Sequence, residues 1–368
     1  MRQGRLTLSL FLYIHRKRII YLYGGIMKEK GKYLAVVGLS ALIVIIVLNN
    51  EKSKSGALCG IVLCRDIIVP ALLPILILCG TMTRSDCAKV FEKLFGRITQ
   101  TLFHLPRAAT TPIIFGAIGG YPTGAVLTRQ MLNDGLIDNE DAIRIMRFNV
   151  NPGIAFTITA VGSVYLKSTK SGVILYLICT AASLLLGIIQ GLFFRKKRYY
   201  YHADIKRLDF GKAVISSVED ATKSILNMCA YIVFFSAIIQ IFDLPNQVLA
   251  LLEITSGIFS NDAVIPFEYL CFFLSFAGFC IHFQIFSIVK SFDMKYGDFF
   301  IHRLLAALLS FFPGKLYSSF FEQQMPVFSN VAQTIPQASQ VNSGLSIVLL
   351  AGCVAIIFDI KNRKSKLI

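Results

Sequence analysis

Tyr121 and Thr123 stand in G-A-I-G-G-Y-P-T-G (116–124), and Asn149 and Asn151 in F-N-V-N-P-G (148–153). Glu253 stands in L-L-E-I-T-S-G (251–257), and His282 and Gln284 in L-S-F-A-G-F-C-I-H-F-Q (274–284). Each group of polar side chains interrupts an apolar stretch. The amides of Asn149, Asn151 and Gln284 can donate and accept, which suits a heteroaromatic or carboxylate-bearing solute or, alternatively, hydrogen bonding between helices. Glu253, beside Thr255 and Ser256, could take a proton or a sodium ion or bind a solute donor, because an ionisable residue at membrane depth is a functional hypothesis by default. Its other reading is an exposed loop carboxylate. His282 could titrate near neutral pH, although a lone histidine in an apolar helix also serves structure. Covalent chemistry is not expected: there is no G-x-S-x-G, H-E-x-x-H, Walker A or dinucleotide fingerprint. No Cys/His cluster has metal-ligand spacing. The reading is therefore a binding protein rather than an enzyme, with no cofactor beyond a coupling Na+ or H+.

These side chains need a backbone that brings polar groups together inside an apolar medium. Gly119, Gly120 and Gly124 with Pro122 cannot form a stable lipid-facing helix, since glycine weakens a helix interior and proline removes a donor. Backbone freed at membrane depth must be buried in protein or face a water-filled cavity, and broken apolar segments point to a transporter's binding site. The alternative is a tight helix-packing motif. A hairpin tip with free N–H groups favours an anion, and Arg129 and Gln130 follow it. Pro152 should unwind its segment beside Asn149 and Asn151. Arg144 and Arg147, one or two turns earlier, attract an anion or anchor at the interface. Gly278 marks a weaker break in the second half.

Composition demands a membrane: 55% of the residues are hydrophobic and 16% charged, and several apolar runs approach bilayer-spanning length. The net charge of +16 falls mostly in short loops and ends, so it reads as topology rather than as a nucleic-acid footprint. The partners expected are a small solute and the lipid bilayer, with no nucleic acid; a homo-oligomer is compatible with the sequence. The nine cysteines lie mostly in apolar segments, as small hydrophobes. With no Trp, the 14 Tyr and the basic residues must anchor the interface.

The fold class expected is an all-α polytopic membrane protein, an inverted repeat with two re-entrant hairpins and broken helices. Crossings are expected at 33–49, 67–83 (kinked by Pro70 and Pro74), 141–165 (unwound at 151–153), 172–194, 226–242, 298–321 (interrupted at Phe312-Pro313-Gly314) and 343–358. Amphipathic helices are expected at 85–104 and 208–224, hairpins at 110–134 and 266–290, a polar link at 51–55 and a link containing 251–257. Asn-Pro-Gly at 151–153 then answers Phe-Pro-Gly at 312–314, and an odd number of crossings per half inverts the second copy. The divisions are an N-terminal extension (1–32), a first span and link (33–55), repeat 1 (56–198), repeat 2 (199–358) and a basic tail (359–368). Met27 followed by K-E-K-G-K looks like a start, which makes 1–26 an upstream extension or else a basic interfacial helix. Lys28, Lys30, Lys32 and Arg195–Arg198 mark the cytoplasmic side. Seven crossings place the K-N-R-K-S-K tail (361–366) outside, so either a span is miscounted or late charges are tolerated.

The runs V-P-A-L-L-P-I-L-I-L-C-G (69–80), G-A-I-G-G-Y-P-T-G-A, N-D-G-L-I-D-N-E-D-A (133–142) and F-N-V-N-P-G-I-A-F resemble the YlbJ (SpoVV) family of sporulation integral membrane proteins. That family carries the nucleoside-recognition gate domain related to concentrative nucleoside transporters. The resemblance covers about residues 33–358, more specifically in the first half than in the second. It implies a transporter moving dipicolinic acid from the mother cell toward the forespore across the outer forespore membrane; the expected mechanism is alternating access, with the two hairpins meeting near the midplane and one inverted half rocking against the other. It implies substrate-binding roles for Gly119, Gly120, Tyr121, Pro122, Gly124, Asn149, Asn151, Pro152, Glu253, Gly278, His282 and Gln284. The chain departs from the family at 149–153, where N-V-N-P-G stands in place of asparagine-asparagine-small-glycine-proline. A nucleoside or other small-solute symporter, and a membrane scaffold that moves nothing, are the competing readings.

Overall fold

The long apolar runs become helices. In the computed structural model, residues 33, 36–193, 207–242, 244–259, 265–289 and 292–321 are described. The expectations for 1–32, for Arg195–Arg198, for the crossing at 343–358 and for the tail lie outside them. The described chain is all-helical, with a single isolated bridge between Ser85 and Leu208. Five helical stretches are long and apolar enough to cross a membrane. Together these define an all-α polytopic membrane protein.

Helix α1 (Val36–Leu48) runs, after the single residue Asn49, into α2 (Asn50–Arg84). The expected polar link at 51–55 is thus the first turn of a helix. Glu51, Lys52 and Lys54 are good helix formers, and 35 residues reach about 52 Å, well beyond a bilayer core, so a polar end can stand in the headgroups. A π-helical turn at Cys64–Ile68 accommodates Pro70, which follows in the first turn of the next α-helical segment. Gly56 and Gly60 bring α2 against α9 (Phe210–Ile239). A Cβ on Gly56 would lie 2.3 Å from the Ser236 carbonyl oxygen, and one on Gly60 2.9 Å from the Val233 Cα. This is a small-xxx-small contact, the usual means of close approach in membranes. The expected amphipathic helix (208–224) and crossing (226–242) prove to be this one 30-residue helix, α9.

Helix α3 (Cys87–Leu102) turns Val90, Leu94, Phe95, Ile98 and Leu102 outward while Ala88, Glu92, Gly96 and Thr99 are buried. An outward apolar stripe is what an interfacial helix presents to lipid. Helices α4 (Thr110–Gly119) and α5 (Thr123–Asn133) fold back on each other as the first hairpin. The segment expected to be unwound separates α6 (Asn139–Phe148) from the π-helical α7 (Ala155–Tyr165). Helix α8 (Thr169–Phe193) then crosses without interruption.

The second half differs from expectation in three further places. The supposed link 251–257 forms the second hairpin, α10 (Asn246–Leu252) against α11 (Ile254–Phe259), packed so closely that a Cβ on Gly257 would lie 2.2 Å from the Ala250 nitrogen. The expected hairpin 266–290 is instead α12 (Phe267–Phe276) and α13 (Gly278–Ile288), joined at a corner where Ala277 and Gly278 both have positive φ. The two arms do not fold back: α12 packs on α8 and α14 (Tyr296–Phe321), and α13 on α5, α9 and α10. Finally, α14 passes through Pro313 unbroken. Proline there removes one backbone bond, while Gly314 lets α14 approach α12, its hypothetical Cβ lying 2.7 Å from Cys271 Sγ. Phe312-Pro313-Gly314 therefore does not answer the break at 151–153.

Candidate functional site

The first hairpin turns at Gly120, whose φ of 75° and ψ of −167° lie in a region essentially reserved for glycine. The turn also presses on the break between α6 and α7. A Cβ on Gly120 would lie 2.1 Å from Gly153 N, and one on Gly153 2.7 Å from the Gly119 oxygen. The Tyr121 N–H donates to the Asn151 carbonyl at 2.7 Å, and the Tyr121–Pro122 bond is cis. Below the tip, Gly116 and Gly124 leave room for Asn149: Cβ atoms there would sit 2.5 Å from Asn149 Oδ1 and 2.3 Å from its carbonyl oxygen. Asn149 Nδ2 donates to the Pro112 carbonyl at 2.7 Å, which ties the end of α6 to α4. Gly119, Gly120, Tyr121, Pro122, Thr123, Gly124, Asn149, Asn151 and Pro152 thus meet at one place.

Polar atoms accumulate there without protein partners. Tyr121 Oη, Thr123 Oγ1, Asn149 Oδ1 and both amide atoms of Asn151 are buried and unbonded. Buried polar side chains are overwhelmingly hydrogen-bonded, so five orphaned atoms around one hairpin tip mark a place built to meet something polar. Asn151 is fully buried and yet keeps its whole side-chain bonding capacity.

The second hairpin brings Glu253 to its tip. Glu253 is extended (φ −141°, ψ 113°) between α10 and α11. Its carboxylate accepts the N–H groups of Thr255 (3.1 Å) and Ser256 (2.6 Å), capping α11. It is 3% exposed, which excludes the exposed-loop reading. Helix α13 packs against α10 of this hairpin and against α5 of the first, so the two hairpins share a neighbour. Gly278, at the α12–α13 corner, faces this hairpin; a Cβ there would lie 3.3 Å from the Ala250 oxygen. Gln284, one turn beyond Cys280 on α13, donates to Cys280 Sγ at 3.2 Å.

His282 is placed differently. It is fully buried, its Nε2 pairs with the Phe276 carbonyl at 2.9 Å, and its Nδ1 pairs with Tyr296 Oη at 3.3 Å. Phe276, Phe279, Phe299 and Phe300 surround the ring. In this arrangement it ties the end of α12 to α14. Arg144 bonds to the carbonyls of Phe103 and His104, at the end of α3, and lies beside Asp141; Arg147 pairs with Asp298. Gln130 donates to Asp220 at the base of the first hairpin, where Arg84 bridges Asp220 (2.8 Å) and Asp134 (3.5 Å); Arg129 also feels Asp220. Burial pushes the Asp134 carboxyl up, and Arg84 opposes the shift.

Arg303 was not singled out from the sequence. It is fully buried in α14 and donates to the carbonyls of Val150 and Arg147 (2.6 Å for the latter), holding the broken segment from the other side. The signal was available: one arginine in F-F-I-H-R-L-L-A-A-L-L is a charge inside an apolar span.

Two hairpins, each with its tip against an interrupted helix inside an all-α membrane protein, define the class as far as geometry can. The chain is similar to the sporulation integral membrane protein YlbJ of Bacillus subtilis (strain 168), with 20% identity over 368 aligned positions covering 84% of this chain and 90% of that protein. No protein-family model matches the chain, and no solved structure matches it.

Proposed function

We propose that this protein is a sporulation membrane transporter that moves a small anionic aromatic solute, dipicolinic acid, from mother cell toward forespore by alternating access, and that it works in the outer forespore membrane. The observation that carries the reading is the set of orphaned polar atoms on Tyr121, Thr123, Asn149 and Asn151 at the first hairpin tip. Dipicolinate is a planar dianion with a ring nitrogen, and amides, a phenol and hydroxyls can serve both its carboxylates and its nitrogen. The similarity to a sporulation integral membrane protein supplies the setting.

Element order supports alternating access. Hairpin, interrupted helix and plain helix occur as α4–α5, α6/α7, α8 and again as α10–α11, α12/α13, α14. We read these as two inverted copies that rock against each other around the tips. Glu253 would couple the motion to Na+ or H+: a carboxylate has about four acceptor positions, and Thr255 and Ser256 use two. No covalent step and no further cofactor enters this mechanism.

The test is the dipicolinate content of spores from a strain lacking this gene, restored with wild type or with Glu253→Ala/Asn151→Ala at equal protein level. Wild type should restore the content and the double variant should not. Restoration by both would remove the site, and normal dipicolinate in the deletion strain would remove the solute. Nucleoside uptake, competed with dipicolinate, then separates a nucleoside symporter from a scaffold that moves nothing.

A further inference from the structure

Every buried arginine on the described residues but one has a carboxylate beside it. Arg84 has Asp220 and Asp134, Arg144 has Asp141, and Arg207 has Glu92. Arg303 is the exception. Its NH groups reach only the Val150 and Arg147 carbonyls, its Nε has no partner, and its guanidinium lies 5.8 Å from the centre of the Phe299 ring. Its neighbour Arg147 spends its own charge on Asp298.

A buried charge is costly unless it is paired. The carbonyls at the end of α6 offer a partial negative charge of roughly half an electron, which leaves much of the cation unmatched. The residue following Val150 is Asn151, whose amide is fully buried and bonds to nothing. An unmatched cation thus sits against the peptide that carries the most under-used amide of the site. A carboxylate bound at Asn151 would neutralise the cation and satisfy the amide together. A neutral solute would do only the second, and a cation would worsen the first.

We infer that Arg303 selects an anionic solute over a neutral one in this pocket; the inference rests on the binding reading above. The alternative is that Arg303 only caps α6, and that role would leave charge selectivity untouched.

The experiment uses the full-length protein in lipid nanodiscs. Binding of dipicolinate, of its neutral analogue pyridine-2,6-dicarboxamide, of phthalate and of uridine is measured by titration on wild type, Arg303→Lys and Arg303→Gln. Wild type should prefer dipicolinate over the diamide by about tenfold to a hundredfold, the scale of one charge-assisted hydrogen bond. Arg303→Gln should abolish that preference, and Arg303→Lys should keep most of it. Preference for phthalate without dipicolinate binding, lost in Arg303→Gln, would uphold the inference and remove dipicolinate as the solute. Dipicolinate binding with an unchanged preference in Arg303→Gln would overturn the inference and spare the transport reading. If Arg303→Gln does not fold, the wild-type comparison decides: equal affinity for the dianion and its diamide, or a preference for uridine, overturns it.

Discussion

Gly120 and Gly135 offer a matched pair for measuring what the meeting of hairpin tip and broken helix is worth. Both have positive φ, 75° and 69°, so alanine strains the backbone at either. Only Gly120 is also in contact: its Cβ would lie 2.1 Å from Gly153 N and 2.4 Å from Gly153 Cα, while nothing lies within 4 Å at Gly135. Strain alone costs about 1–3 kcal/mol, which is the expectation for Gly135→Ala. At Gly120 the obstructing atoms are backbone and cannot rotate away, so an overpacking cost of about 1–3 kcal/mol adds to the strain. Gly120→Ala should therefore lose roughly 2–6 kcal/mol, unless the tip withdraws from the break. Withdrawal would sever the Tyr121 N–H to Asn151 carbonyl bond and open the site. The assay is reversible unfolding of the purified protein in mixed micelles, alongside spore dipicolinate from strains expressing each variant equally. Gly135→Ala should keep dipicolinate near wild type, and Gly120→Ala should reduce it at least tenfold. Equal stability losses at the two positions, or full dipicolinate with Gly120→Ala, would refute the contact as a functional element.

The two asparagines should separate function from structure. Asn151→Ala removes no protein hydrogen bond and should change stability by less than about 1 kcal/mol while abolishing dipicolinate binding; Asn149→Ala loses the bond to Pro112 and should cost about 1–2 kcal/mol in the same unfolding assay. Glu253→Gln keeps an acceptor for one of the two α11 N–H groups and sets a donor against the other, so it should lose about 1–2 kcal/mol, and Glu253→Ala should lose about 1–3 kcal/mol with the whole cap. If Glu253 couples an ion, both variants lose the ion dependence of uptake in proteoliposomes; uptake that keeps its ion dependence in Glu253→Gln would exclude it. A double-mutant cycle on Arg84→Gln and Asp220→Asn should show a coupling energy of about 1–2 kcal/mol across the base of the first hairpin; no coupling would mean the 2.8 Å pair contributes nothing. Gly56→Leu should destabilise the α2–α9 contact by about 1–3 kcal/mol, while Gly38→Leu, which meets nothing within 4 Å, serves as the control.

Where the chain breaks locally, the sequence was legible. Gly119-Gly120-Tyr121-Pro122 and Asn151-Pro152-Gly153 disfavour a continued helix, and the chain does break at both, so the first hairpin and the unwound segment were readable, as was the outward stripe of α3. Apolar content alone required membrane helices. In the second half the one Pro-Gly pair, Pro313-Gly314, did not mark the break, and there contacts decided. Glu253 folds the chain back because its carboxylate caps α11 and Gly257 lets α10 close on it, a tertiary fit that a short apolar run does not announce. Pro313 looked like a break but stays helical, because α14 packs along α12 and one lost backbone bond is a small penalty beside that contact. Composition and local backbone chemistry thus determined the class of protein and one half of the site. Which hairpin meets which break, and that Arg303 reaches the carbonyls of Val150 and Arg147 from more than 150 residues away in the chain, only packing between helices could decide, since long-range proximity leaves no periodic mark in a single sequence.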